Sequence, residues 1–143
     1  MIKTELLEKI ANRTLKVAVV GLGYVGLPLA VEKAGAGFRT VGFDIQSSKV
    51  DAVNRGENYI GDIVNERLRE LVDNGMLSAT SDFSFVRDAD FIAICVPTPI
   101  DEHEEPDISY VENSAREIAQ YLTAGTVVVL ESTTYPGTTE ELL

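Results

Sequence analysis

The sequence predicts an α/β fold in which helices cover both faces of a doubly wound parallel sheet. Short β-branched apolar runs alternate along the chain with segments that repeat apolar residues at helical spacing. Such alternation indicates βαβ units, whose right-handed crossovers build a parallel sheet. We expect five strands in the order 3-2-1-4-5, with the first strand at the centre.

The apolar runs themselves are the predicted strands. KVAVV, at residues 16–20, is continuous and β-branched, which is typical of a strand buried on both faces. The fourth strand ends before Pro97 and Pro99, because proline cannot donate to a central ladder. The predicted strand ranges are 16–20, 38–44, 76–80, 91–96 and 126–131.

Helices are predicted between the strands. One covers residues 24–36, with Pro28 near its first turn, where a missing N–H costs little. Capping boxes predict helix starts at Ser48 and Ser109, and Asp62 can cap a further helix. The apolar faces are Val64, Leu68, Leu71 and Val72 after Asp62, and Val111, Ala115, Ile118, Ala119 and Leu122 after Ser109.

Length, charge and cysteine content limit the functional classes. The 143 residues suit one domain, and the net charge of −11 argues against nucleic acid or an anionic membrane as partner. The one cysteine excludes an internal disulfide, which fits a reducing compartment. Residues 1–14 lack the apolar stretch of a signal peptide, and no run is long enough to span a membrane. We therefore expect a cytoplasmic protein.

The chain stops about six residues into a helix that begins at residue 138. Helices rarely stop so soon, so we expect the sequence to be a piece of a longer protein. Within it we assign residues 1–14 to an N-terminal extension and residues 15–143 to one domain.

A glycine motif follows the first strand. Gly21, Gly23 and Gly26 fit G-x-G-x-x-G, and Asp44 ends the next strand eighteen residues later, near the expected spacing of about 20. Gly21 permits a tight turn, Gly23 lets the backbone approach a pyrophosphate, and Gly26 allows close packing of helix and strand. Asp44 can accept hydrogen bonds from ribose hydroxyls and would repel a 2′-phosphate, which favours NAD over NADP.

Two other interpretations of the motif remain open from the residues alone. Glycines also close ordinary strand–turn–helix connections that bind nothing, although the correctly spaced Asp44 makes this less favoured. FAD uses the same fingerprint as NAD.

Two more loops are expected at the same edge of the sheet, because the carboxyl ends of parallel strands meet there. The stiff loop at residues 96–100 includes Thr98, whose hydroxyl can reach a ribose or nicotinamide. Residues 131–137 bring hydroxyl groups to the same edge, although local turn bonding would explain them equally well.

The remaining reactive side chains favour structural interpretations. Cys95 lies in an apolar run and is predicted to be an inert core residue. His103 lies in the acidic stretch DEHEEPD, where a solvated surface position is expected. Metal-ligand spacing is absent from the sequence, so no metal is expected.

Five motifs in order resemble the amino-terminal domain of one enzyme family. They are GLGYVGLPLA, GFDI followed by Lys49-Val50, CVPTPI, PDISYV and ESTTYPGTTEE. From Lys16 onward the chain is similar to the UDP-glucose/GDP-mannose dehydrogenases, the nucleotide-sugar dehydrogenases. ESTTYPGTTEE is most similar to the branch that oxidises UDP-N-acetylhexosamines, of the UDP-N-acetylglucosamine 6-dehydrogenase type. The UDP-glucose branch usually has a valine-proline-valine-like stretch after the Ser-Thr pair.

The resemblance implies a Rossmann-type domain that binds NAD. It also implies that the full-length enzyme oxidises a sugar C6 alcohol to a carboxylate in two NAD-dependent steps, through a cysteine-bound intermediate. The expected partners are a UDP-sugar substrate and further copies of the same chain in a homo-oligomer.

The resemblance assigns site residues by position. Thr133 matches the threonine that helps to position a catalytic water. The cofactor contacts carry over to Gly21, Leu22, Gly23, Tyr24, Val25, Gly26, Asp44, Lys49, Val96, Pro97, Thr98 and Ser132. The catalytic cysteine, lysine and asparagine of the family belong to later segments, and Cys95 does not match the cysteine motif. We therefore expect these 143 residues to bind NAD without turning over substrate.

The sequence leaves two further functions open. A stand-alone NAD-sensing module would also lack the catalytic residues. A UDP-glucose dehydrogenase or another hydroxy-substrate dehydrogenase, such as a β-hydroxyacid dehydrogenase, would share the glycine loop. The VPTP and ESTTYPG stretches count against the hydroxyacid enzyme.

Overall fold

The computed structural model describes residues 1–61, 63, 65–132 and 136–143. Within them, five parallel strands form one sheet in the order β3-β2-β1-β4-β5, which confirms the predicted order. The strands are β1 (Val17–Val20), β2 (Thr40–Phe43), β3 (Leu77–Thr80), β4 (Phe91–Ile94) and β5 (Val127–Leu130). Every strand lies inside its predicted range.

The central strand β1 is buried along its whole length, as its continuous apolar sequence predicts. Successive side chains of a strand point to opposite faces. Val17 and Val19 therefore join the core on one face of the sheet, which we call the first face. Ala18 and Val20 join the core on the other, the second face.

The helices divide between these two faces. They are α1 (Ile2–Ala11), α2 (Gly26–Gly35), α3 (Ser47–Asn54), α4 (Asn65–Asp73), a 3₁₀ helix (Phe83–Asp88), α5 (Ser109–Ala119) and α6 (Thr138–Leu142). Buried residues of α2, α3 and α4 pack on the first face. Val86 of the 3₁₀ helix and Ile118 of α5 pack on the second. The doubly wound arrangement is thereby confirmed.

Both predicted capping boxes are wrong. Ser48 lies inside α3, which begins one residue earlier, and Ser109 is already the first residue of α5. The carboxylate of Asp107 accepts a hydrogen bond from the Ser109 N–H at 2.9 Å. This contact closes a turn just before the helix. Asp107 therefore stabilises the N-terminal end of α5 by accepting the N–H of its first residue. Asp62 lies outside the described residues.

Two further expectations need correction, and two elements were not predicted. The helix predicted over residues 24–36 begins two residues later, at Gly26, because the glycine loop continues to Val25. Leu122 lies beyond the end of α5 and is 45% exposed, so it does not belong to the buried face of that helix. Neither α1 nor the 3₁₀ helix was predicted. Val64 lies outside the described residues.

Candidate functional site

The glycine loop connects β1 to α2 at the carboxyl edge of the sheet. Gly21 has a φ of +94°, a conformation that side chains with a Cβ rarely adopt. A Cβ there would also lie 2.8 Å from the carbonyl oxygen of Cys95. The Gly21 N–H donates to the Phe43 carbonyl at 2.7 Å, which ties the turn to β2.

Gly26 allows α2 to begin against this turn. A Cβ at Gly26 would lie 1.6 Å from the carbonyl oxygen of Gly21, a distance that backbone atoms cannot accommodate. The hydrogen-bond ladder of α2 begins where the Leu27 N–H donates to the Gly23 carbonyl at 3.2 Å. The amides of the preceding four residues come before that ladder, where helix N–H groups are suited to bind an anion.

Gly23 differs from the other two glycines of the motif. A Cβ built at Gly23 meets no described atom within 4 Å, and its φ lies outside the left-handed range. Neither packing nor backbone conformation therefore requires glycine at this position. The space that a side chain would fill is the space that a closely approaching diphosphate needs, so the loop fits a dinucleotide.

Leu22 anchors the glycine loop to the core of the protein. Its side chain is fully buried, and a Cβ at Gly42 would lie 2.6 Å from Leu22 Cδ2. Its N–H donates to Asp44 Oδ2 at 2.9 Å, and its carbonyl accepts from the Tyr59 hydroxyl at 2.6 Å. Leu22 thus stabilises the conformation of the loop, and its own N–H and carbonyl are hydrogen-bonded within the protein.

Asp44 directly follows β2 and is 9% exposed. Besides the contact with Leu22, its Oδ1 accepts the Gln46 N–H at 2.9 Å. These two bonds fix the orientation of the carboxylate beside the loop. Each carboxylate oxygen can accept a second hydrogen bond, so the group retains capacity for ribose hydroxyls.

A cavity of about 190 Å³ opens beside Gly21 and Asp44. Lys49 from α3 and Val96 and Pro97 from the exit of β4 line it, so the structure brings these predicted residues together. Phe43 and Phe83 add apolar wall. This combination of apolar wall and polar groups is typical of a small-molecule site.

The polar side of α5 also lines this cavity, and sequence reasoning missed it. The residues are Tyr110, Asn113, Ser114 and Glu117. They recur at i, i+3, i+4 and i+7, so they share one side of the helix. The same spacing rule that identified the apolar face of α5 would have found them.

The other predicted cofactor contacts lie on the glycine loop and on the segments after β4 and β5. Tyr24 is 84% exposed at the tip of the loop, next to the exposed Val25. The Ser132 hydroxyl donates to the Val96 carbonyl at 2.7 Å and joins the exits of β4 and β5. Thr98 is half-buried, and neither it nor Ser132 is among the described residues that line the cavity. Thr133, the predicted catalytic residue, lies outside the described residues.

Cys95 is buried under the glycine loop, as predicted for a core residue. Burial, together with the charge of Glu131, raises the pKa of its thiol to about 12. The thiol is therefore protonated at neutral pH and unsuited to act as a nucleophile.

The described part of the chain holds no group of three or more His, Cys, Asp or Glu side chains placed to bind a metal ion. In the same residues, none of the helices has the length and apolar character needed to cross a membrane. His103 is exposed, and its backbone N–H donates to Asp101 Oδ1 at 2.9 Å.

Comparison with known proteins agrees with this geometry. The chain is 42% identical over 129 residues to UDP-N-acetyl-D-glucosamine 6-dehydrogenase of Pseudomonas aeruginosa, covering 90% of the chain and 30% of that protein. It is 37% identical over 129 residues to UDP-N-acetyl-D-mannosamine dehydrogenase of Pyrococcus horikoshii, covering 90% of the chain and 31% of that protein. The chain thus spans about three tenths of the length of these relatives.

The fold leads to the same family. A ternary-complex crystal structure of GDP-mannose dehydrogenase from Pseudomonas aeruginosa superposes with a TM-score of 0.85 at 33% identity, covering 90% of this chain and 30% of that one. Residues 15–143 match the NAD binding domain of the UDP-glucose/GDP-mannose dehydrogenase family. The predicted resemblance is therefore confirmed, and the chain belongs to this family as its NAD-binding domain.

Proposed function

We propose that this chain is the NAD-holding part of an enzyme that oxidises the C6 alcohol of a UDP-N-acetylhexosamine to a carboxylate in two NAD-dependent steps. The observation that carries the cofactor assignment is the open space at Gly23 beside the oriented carboxylate of Asp44. The substrate class is supported by relatives named for UDP-N-acetylglucosamine and UDP-N-acetylmannosamine.

The loop amides would hold the diphosphate. The Leu22 N–H already donates to Asp44, so we assign this role to the N–H groups of the four residues that follow it, Gly23, Tyr24, Val25 and Gly26. They lie at the start of α2, where the helix dipole adds partial positive charge. This arrangement binds phosphate without a cation, which reconciles an anionic cofactor with a net charge of −11.

The adenosine end would lie in the cavity. We assign the ribose hydroxyls to Asp44 and the adenosine side to Lys49, with Val96 and Pro97 as further walls of that cavity. Thr98 and Ser132, which lie outside its lining, support the nicotinamide side. A 2′-phosphate placed at Asp44 would meet a carboxylate held in position by two backbone N–H groups, so NADP is disfavoured. When bound, NAD supplies the acceptor for the hydride that leaves the sugar carbon.

The rest of the reaction needs groups beyond these residues. Cys95 is buried and protonated, so the covalent step requires a cysteine that this chain does not provide. We assign to Thr133 the positioning of a water molecule, on the family resemblance alone. The full-length protein would be a cytoplasmic homo-oligomer, with residues 1–14 as an extension of the domain at residues 15–143.

Titration calorimetry of the chain with NAD, NADP and FAD tests the cofactor assignment. We expect NAD to bind and the other two to bind far more weakly. Gly23→Val should lower NAD affinity by at least about 100-fold, equivalent to about 2.7 kcal/mol. The melting temperature should change little, since a Cβ at this position has no described atom within 4 Å.

Ala36→Val is the control, because Ala36 is exposed at the C-terminal end of α2, the end of that helix opposite the glycine loop. It should bind NAD like the wild type. Preference for NADP or FAD, or full NAD affinity in Gly23→Val, would overturn the assignment. For the substrate class, full-length protein screened against UDP-sugars should form NADH with a UDP-N-acetylhexosamine and not with UDP-glucose.

A further inference from the structure

Tyr59 makes a contact that the proposed function leaves unexplained. It lies between α3 and α4, in a segment that is remote in sequence from the glycine loop. Its hydroxyl nevertheless donates to the Leu22 carbonyl at 2.6 Å. Burial and the nearby negative charge of Asp44 raise the pKa of this hydroxyl above its usual value, so it remains a hydrogen-bond donor at any working pH.

Leu22 is consequently held from three directions. Its side chain packs over Gly42 on β2, its N–H is bonded to Asp44, and its carbonyl is bonded to Tyr59. The first two contacts fix the side chain and the peptide before Leu22. Of these three contacts, the Tyr59 bond is the one that acts on the peptide joining Leu22 to Gly23.

That peptide is the one that presents the Gly23 N–H. It is trans, so its N–H points away from its carbonyl. By holding the Leu22 carbonyl, the Tyr59 hydroxyl sets the direction of the Gly23 N–H. Among the described residues, no atom lies within 4 Å of a Cβ built at Gly23, so no described side chain restrains the peptide at that point.

We propose that Tyr59 is a positioning residue that orients the Leu22–Gly23 peptide so that the Gly23 N–H is ready for a bound diphosphate. The proposal rests on the proposed function, in which this loop binds NAD. Without the hydroxyl, the peptide can rotate, and the ligand must order it on binding. A loop already held in its binding conformation avoids that cost and binds more tightly.

The test compares Tyr59→Phe with the wild type by NAD titration. Loss of one hydrogen bond of ordinary strength should weaken NAD by about three- to tenfold. ADP should weaken by the same factor, because it retains the diphosphate. Adenosine, followed by NMR titration, should bind unchanged, whereas a general loosening of the site would weaken all three ligands.

A second measurement needs no ligand. Hydrogen exchange of the Gly23 amide in the free chain should be faster in Tyr59→Phe, while exchange in the central strand β1 should be unchanged. Tyr121→Phe is the matched control, since Tyr121 packs on the second face of the sheet against Arg87, away from the loop. It should alter neither ligand binding nor exchange at Gly23.

The outcomes separate the two proposals. If the wild type binds no NAD, the proposed function fails, and the ligand part of this inference fails with it. If the wild type binds NAD but Tyr59→Phe binds it equally well, or exchanges Gly23 no faster, only the positioning role of Tyr59 is overturned. Equal weakening of adenosine and NAD would also overturn it.

Discussion

Among the described residues, the face of the sheet that bears Val17 and Val19 packs against buried apolar residues of three helices, whereas the face that bears Ala18 and Val20 packs against those of one helix and a 3₁₀ segment. On the first face, α2, α3 and α4 form a continuous buried core. On the second face, the cover thins towards β5, where Val127 is 41% exposed.

The first face anchors the glycine loop, and the second face provides the walls of the cavity. Leu22 and Leu27 anchor the glycine loop and the start of α2 in the first-face core, and both are fully buried. The cavity beside the loop is instead walled by Phe43, Phe83 and the polar side of α5, which belong to the second face. Dense packing on one face therefore fixes the loop, and lighter cover on the other leaves room for a ligand.

The largest expected loss of stability comes from a change at Gly26, where the glycine loop contacts the start of α2. Gly26→Ala places a Cβ against the Gly21 carbonyl and forces α2 away from the turn. We expect a loss of roughly 3 kcal/mol or more in the free energy of unfolding, measured by urea denaturation, together with loss of NAD binding. Gly23→Ala is the control and should unfold like the wild type. Equal stability of the two variants would show that α2 is not fixed by this contact.

The next effect compares a fully buried side chain on the first face with a half-exposed one beside the second face. Leu68→Ala removes a fully buried side chain of α4 on the first face and should cost about 2–5 kcal/mol of stability. Leu122→Ala removes a side chain beside the second face that is 45% exposed, and should cost less than about 1 kcal/mol. Thermal and urea unfolding of both variants provide the measurement. Similar losses of stability in the two variants would contradict the difference in helix packing between the two faces.

Asp44→Ala should act on stability and on the ligand together. It removes the acceptor of two backbone N–H groups, from Leu22 and Gln46, which should cost about 1–3 kcal/mol of stability. It also removes the negative charge that opposes a 2′-phosphate, so NAD should weaken and the preference for NAD over NADP should shrink. Calorimetry with both cofactors measures this preference, and Asp73→Ala, on α4, is the control. An unchanged preference would contradict the ribose contact.

The strand order and the glycine loop were predictable because both depend on local patterns. KVAVV identifies the central strand by its composition, and right-handed crossovers then restrict the sheet order. The spacing from Gly26 to Asp44 identified a carboxylate that does lie beside the loop.

Contacts between distant segments could not be predicted in this way. No pattern in the sequence connects Tyr59 to Leu22, because their contact depends on how the segment between α3 and α4 folds back. The capping box predicted at Ser109 is wrong for a related reason: the carboxylate of Asp107, two residues earlier, accepts the Ser109 N–H. The helix α1 was missed because it packs at the margin and buries no residue completely.

The smallest expected effect concerns the ion pair between Lys9 of α1 and Asp90, the residue before β4. Lys9 Nζ lies 2.6 Å from Asp90 Oδ1, and Asp90 Oδ2 accepts the Lys16 N–H at 2.9 Å. Burial alone would raise the pKa of Asp90, but the hydrogen bonds from Lys9 and Lys16 lower it below its usual value of 3.8. A lowered pKa in the folded chain means that this carboxylate stabilises the fold above about pH 4, and that the stabilisation is lost as the pH falls through the folded value.

Asp90→Asn should therefore be less stable than the wild type at pH 6, and the difference should shrink steadily towards pH 3. Its loss at pH 6 should be smaller than that of Asp44→Ala, since the Lys9 side chain is partly exposed and solvent screens the pair. Urea unfolding across this pH range provides the measurement, with Asp73→Asn as the control for the general effect of removing a carboxylate. A difference that stays constant with pH would mean that Asp90 supports α1 through hydrogen bonding alone. The charge of Asp90 would then add nothing to stability at the amino edge of the sheet. At the carboxyl edge, by contrast, the charge of Asp44 is expected to select the cofactor.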